Sequence, residues 1–141
     1  MRAIIDTCVV MDALQNREPF CADAQRVFLA VANRRVGGAI TAKAVTDIYY
    51  LMHRYTHDDA QSRRALSAIF ALFDVLDTAG LDCRRAISSE ISDYEDAVMV
   101  ESAIRAEVDC IVTRNKRDYE ISLVPVYSPA ELLDLIQPED E

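Results

Sequence analysis

Four aspartates carry the chemistry this chain can offer, and three of them lie where a regular element begins or ends. Asp6 follows the apolar run Ala3-Ile4-Ile5 and so projects from the end of a strand. There it suits either a metal ligand or an N-cap for the next helix, with Thr7 competing for the cap. Asp47 borders the apolar stripe of a helix, one turn from Lys43, with which it could simply pair. Asp96 heads a stripe that continues through Met99, Val100 and Ala103. An inward carboxylate is costly unless it is paired, hydrogen-bonded or bound to metal. Asp93, Glu95 and Asp96 together also suit the positive end of a helix, although that does not explain why one of them points inward. Asp118 closes the segment Thr113-Arg114-Asn115-Lys116-Arg117-Asp118-Tyr119, whose Thr113 and Asn115 could reach the same place or merely form polar turns. Gathered at one edge, these acids could not all stay ionised without a cation. Hard oxygen donors with no suitable His or Cys select Mg²⁺ or Mn²⁺.

The elements that must gather them follow from periodicity. Arg2 to Ile5 reads as a buried strand, then a brief helix over Val9 to Leu14. Pro19 suits the first turn of a helix to about Asn33, with Ala24, Val27, Phe28 and Val31 inward. Gly37-Gly38 breaks the chain before a minimal strand, Ala39-Ile40. Thr41 caps a helix to about Tyr55, and Asp58 or Asp59 opens the next, with Leu66, Ile69, Phe70 and Phe73 as its stripe. Val75-Leu76 is a third strand, followed by a helix over 81–88. Ser92-Asp93-Tyr94-Glu95 forms a capping box for a helix to about Glu107. Cys110 to Thr113 is a fourth strand, and Val124-Pro125-Val126 a fifth, placed at a sheet edge by its proline. Ser128-Pro129-Ala130-Glu131 opens a last helix. Short apolar strands alternating with helices imply one α/β domain over residues 1–136, with a five-stranded parallel sheet covered on both faces. Right-handed crossovers put every strand C-terminus on one edge, where such sheets bind ligands. Residues 137–141 form an acidic tail expected to be disordered.

Composition narrows the function classes. The 141 residues are 51% hydrophobic with 3 Gly and 4 Pro, which excludes a disordered or collagen-like chain. No apolar run is long enough to cross a bilayer, and Asp6 interrupts any signal-peptide core, so a cytoplasmic protein is expected. Cys8, Cys21, Cys83 and Cys110 spell neither a zinc site nor a disulfide framework and read as small buried thiols. A net charge of −9 argues against a module that holds nucleic acid through a basic surface. It argues less against a nuclease whose acids are offset by bound cations, and it suits a basic peptide partner. Transfer of a phosphoryl group to Asp6 is disfavoured. Cys8 stands where a phosphatase-like site wants a second aspartate, and Tyr127-Ser128 where a receiver-like site wants lysine.

Three segments together carry a family resemblance over nearly the whole chain. Ile4-Ile5-Asp6-Thr7, Asp93-Tyr94-Glu95-Asp96-Ala97 and Ile111 to Tyr119 resemble the PIN-domain family. The resemblance implies a metal-dependent endoribonuclease that cleaves single-stranded RNA, with Mg²⁺ or Mn²⁺ as cofactor. Many bacterial relatives of this length are toxins of the VapC type, paired with an antitoxin and often homodimeric. Position by position, it implies Asp6, Asp96 and Asp118 as metal ligands and Asp47 as the mid-chain catalytic acid, where Glu is commoner. It implies Thr7 and Thr113 as hydroxyl supports, with Asn115 where some members carry another carboxylate. Arg114, Lys116 and Arg117 flank the acids as candidates for phosphate contacts, each equally readable as solvated surface charge. The departures at Asp47 and Asn115 keep a second reading open: a catalytically degenerate PIN-like binding module.

Overall fold

The structure, a computed structural model, describes residues 1–119 and 121–137, so most of the expected tail, 138–141, lies outside the described residues. Its elements run β1 (Arg2–Ile5), α1 (Thr7–Leu14), α2 (Cys21–Ala32), β2 (Gly37–Thr41), α3 (Ala42–Thr56), α4 (Asp59–Leu72), β3 (Asp74–Leu76), α5 (Gly80–Ala86), α6 (Tyr94–Arg105), β4 (Cys110–Val112), a 3-10 turn (Lys116–Tyr119), β5 (Val126–Tyr127) and α7 (Pro129–Leu135). The strands form one parallel sheet in the order β3-β2-β1-β4-β5, as the alternation of strands and helices predicts.

Period-two alternation divides the core between the sheet's two faces. Ala3, Ile5, Ile40, Cys110 and Val112 face a cluster built with α1, α2, α3, α4 and α7. Ile4, Ala39 and Ile111 face a smaller cluster built with α5, α6 and the buried ring of Tyr119. Helix starts follow side-chain caps: Thr41, Asp58 and Ser128 each accept a backbone N–H in the first turn of the following helix.

Several local expectations need correction. Gly37-Gly38 does not break the chain but belongs to β2. A Cβ on Gly38 would stand 2.7 Å from a Phe73 ring carbon and 2.8 Å from a Val31 methyl, so the strand passes there only because it carries no side chain. Pro19 lies in the turn before α2 rather than inside it, since Phe20 is the capping position. Asp93, not Ser92, caps α6 by accepting the Asp96 N–H. Phe70 is half exposed, because the core side of α4 is met by Ile69 and Phe73. Pro125 precedes β5, which is an edge strand as expected. All four thiols are free, but Cys83 is exposed rather than buried.

Candidate metal centre

Strand register builds the centre of the site. Ile5 pairs with Val112, and the Asp6 N–H still donates to the Val112 carbonyl, so Asp6 and Thr113 leave the sheet side by side. Asp6 occupies the capping position of α1, yet its carboxylate makes no cap hydrogen bond. Its Oδ2 instead accepts from Thr113 Oγ1 at 2.8 Å, from the Cys8 thiol at 3.6 Å and from the Tyr119 hydroxyl at 3.4 Å. The Asp6 carboxylate thus serves this group of donors and not the helix cap.

Asp96 arrives from the first turn of α6, and its Oδ1 accepts from the same Tyr119 hydroxyl at 2.7 Å. Two carboxylates from distant parts of the chain therefore lie within reach of one phenol. Burial raises the Asp6 carboxyl above its ordinary range against the pull of Thr113 and its other donors. Burial likewise pushes Asp96 up to about 6; the Tyr119 hydroxyl opposes the shift, and Asp93, Asp6 and Asp118 add to it. Both acids line a cavity of about 270 Å³, with Thr7, Thr41, Lys43, Asp47, Tyr50, Glu95 and Met99 among its other walls.

The remaining expected residues separate into those at the cavity and those held elsewhere. Asp47 is at the wall but bonded to Lys43, whose Nζ lies 2.6 Å from Asp47 Oδ2 and 3.2 Å from Glu95 Oε2. Burial disfavours the Lys43 charge, but these two carboxylates outweigh it and hold the ammonium above its ordinary range. Asp118 is exposed in the 3-10 turn, and Asn115 is exposed with its N–H donating to Thr113 Oγ1. Among the described residues, no three Asp, Glu, His or Cys side chains converge closely enough to hold a metal between them.

Two of the three expected phosphate-binding cations are engaged in ion pairs. Arg114 forks onto the buried Asp12 at 2.7 and 3.2 Å and lies over the Phe20 ring. Lys116 pairs with Glu131 at 2.7 Å. Arg117 is exposed and, among the described residues, makes no ion pair. Sequence reasoning missed Tyr119 and Asp12, and read Lys43 only as a partner for Asp47. The only signal was Asp12's place in the apolar run Val9-Val10-Met11-Asp12-Ala13.

The sequence profile of the PIN domain matches residues 2–117. The chain belongs to the PIN-domain family. No curated protein sequence matches it. Solved PIN-fold structures show the same architecture at low identity. One is a toxin–antitoxin complex from Klebsiella pneumoniae, at 20% identity and a TM-score of 0.66, covering 90% of this chain and 97% of that one. Another is FitAcB from Neisseria gonorrhoeae, at 17% and 0.68, covering 91% and 98%. A third is VapC20 of Mycobacterium tuberculosis, described as a toxin that cleaves the sarcin-ricin loop, at 11% and 0.67, covering 86% and 96%. In this PIN domain, as in any parallel α/β sheet, the C-terminal strand edge is where a ligand site belongs, and Asp6 and Asp96 are found there.

The donor set fits a hard divalent cation. Mg²⁺ keeps several of its waters and is commonly held by one or two carboxylates together with substrate phosphates, a number of protein ligands that the Asp6–Asp96 pair matches. Among the described residues, no side-chain donor reaches Asp6 Oδ1 or Asp96 Oδ2. Each carboxylate thus has one oxygen held by a protein hydroxyl and one without a side-chain donor among those residues.

Proposed function

We propose that this PIN domain is a Mg²⁺- or Mn²⁺-dependent endoribonuclease that hydrolyses phosphodiester bonds of single-stranded RNA, acting as the toxin of a toxin–antitoxin pair. The observation that carries the reading is the meeting of Asp6 and Asp96 at one cavity on the C-terminal strand edge, each with one oxygen that no side-chain donor reaches among the described residues. A bound cation would supply a nucleophilic water near neutral pH and charge to offset that on the scissile phosphate. Asp6 and Asp96 would hold it. Thr113 fixes the Asp6 carboxylate, Thr7 lines the same wall, and Asp118 adds negative potential from one side. Asp47 acts through Lys43, which places one positive charge at the cavity wall for the RNA backbone. Arg117 is the phosphate contact left available in the loop after β4.

The test is RNA cleavage with and without Mg²⁺ in wild type, Asp6→Asn and Asp96→Asn. Both variants should lose cleavage while unfolding cooperatively; full cleavage in both ends the reading. The degenerate-module alternative draws on the Asp47–Lys43 pair, which engages one expected acid. Calorimetry showing no Mg²⁺ or Mn²⁺ binding to folded protein would favour it.

The net charge of −9 and the likeness to toxin–antitoxin complexes support a cytoplasmic antitoxin partner with a basic segment. Among the described residues, no helix is long and apolar enough to cross a membrane. A homodimer completes the proposal, and sedimentation of the purified chain measures it.

A further inference from the structure

Tyr119 is 2% exposed, packed in the smaller core cluster with Ile4, Val98 and Val124. Packing alone asks only for an aromatic ring there, and a phenylalanine would fill the same space. A buried hydroxyl without a partner is costly, so the phenol oxygen must be accounted for. Both side chains it meets are carboxylates: Asp96 Oδ1 at 2.7 Å and Asp6 Oδ2 at 3.4 Å. A phenol has one proton to donate, and the shorter distance assigns it to Asp96. Asp6 Oδ2 is meanwhile held by Thr113 at 2.8 Å. The two hydroxyls therefore hold one oxygen of each acid and leave Asp6 Oδ1 and Asp96 Oδ2 with no side-chain donor among the described residues.

We propose that Tyr119 is a positioning residue for the divalent cation, its hydroxyl holding Asp96 so that Asp96 Oδ2 is presented as a ligand alongside Asp6 Oδ1. This rests on the metal reading above. The advantage is preorganisation: a carboxylate already held in one orientation has less freedom to lose when the cation binds. Hydrogen-bond partners of metal ligands typically change metal affinity by roughly 10- to 100-fold.

Calorimetric titration of the full chain with Mn²⁺, wild type against Tyr119→Phe, tests this, with metal-free thermal unfolding as the check on folding. The expected result is an unchanged stoichiometry and a Kd raised about ten-fold or more in the Phe variant, with cooperative unfolding retained. Equal or tighter binding by the Phe variant would show that the hydroxyl is incidental or obstructs the cation, and overturns the proposal. Absence of Mn²⁺ binding to wild type defeats the metal reading itself and this proposal with it, a different outcome from a changed variant. If Tyr119→Phe does not fold, wild type carrying tyrosine labelled with ¹³C at Cζ provides the measurement. Mg²⁺ should shift the Tyr119 resonance along the binding curve, and a Tyr119 resonance that stays fixed while Mg²⁺ binds overturns the proposal.

Discussion

At the residue scale, the acids at this cavity differ in what already neutralises them. Asp47 has an ammonium 2.6 Å away, whereas among the described residues the side-chain donors to Asp6 and Asp96 are neutral hydroxyls and a thiol. A cation gains most from the acids whose charge is unanswered. Asp96→Asn should therefore weaken Mn²⁺ binding strongly, whereas Asp47→Asn should change its Kd by less than about three-fold, since Lys43 and Glu95 remain paired. Equal losses in a calorimetric comparison would show that Asp47 is a ligand and that its pairing with Lys43 gives way. Asp6 and Asp96 were legible in the sequence because their signals are local: an acid ending an apolar run and an acid heading an apolar stripe. Tyr119 was not, because nothing near it in the chain distinguishes a phenol that packs from one that reaches back 113 residues to Asp6. The Lys43–Asp47 pair was visible as a spacing, but Glu95 as the second partner depends on how α3 and α6 meet.

At the scale of elements, the loop after β4 is fastened at both ends by charge. Arg114 ties it to α1 through Asp12, whose side chain is 2% exposed, and Lys116 ties it to α7 through Glu131. The sequence offers both cations either as phosphate contacts or as solvated charge, and neither reading contains the pairing, because flanking basic residues look alike whether solvated or paired. Removing one partner of a buried pair leaves an uncompensated charge, a loss of about 3–5 kcal/mol. Arg114→Ala should lose stability of that order in urea unfolding, with Arg17 at 3.8 Å from Asp12 softening it. A variant of native stability with weakened RNA binding would reverse the assignment. At the other end, Lys116 and the Ser128 N–H hold the Glu131 carboxyl at about 2, below its ordinary 4.5. A depressed carboxylate stabilises the fold fully above its unfolded pKa, and that contribution is lost as pH falls through the folded value. The Tm difference between wild type and Glu131→Gln should be present at pH 6 and shrink between about pH 4.5 and pH 2. A difference that grows in that interval would contradict the ion pair.

At the scale of the whole molecule, one sheet must serve two cores, and the order β3-β2-β1-β4-β5 puts β1 at its centre. That much was legible, since alternating short strands and helices leave few ways to cover both faces. The reach of β2 was not, because two consecutive glycines read locally as a break, and only the packing of distant elements shows why they are there. Val31 from α2 and Phe73 from the end of α4 close over Gly38, with Phe28 edge-on to Phe73 at 5.1 Å. The strand that ends in Thr41, at the cavity wall, thus depends on an unobstructed passage beneath two helices. Gly38→Ala would place a methyl within 3 Å of both Phe73 and Val31, atoms that are themselves buried and can yield only by displacing α2 or α4. Overpacking of this kind costs about 1–3 kcal/mol, which should appear as a lower denaturation midpoint with an unchanged m-value. Gly37→Ala is the control, since its nearest contacts are Arg2 Cγ at 3.3 Å and the Met1 carbonyl oxygen at 3.4 Å, at the chain start. It should lose clearly less. Equal losses would mean that strand flexibility, not clearance beneath the helices, is what these glycines supply.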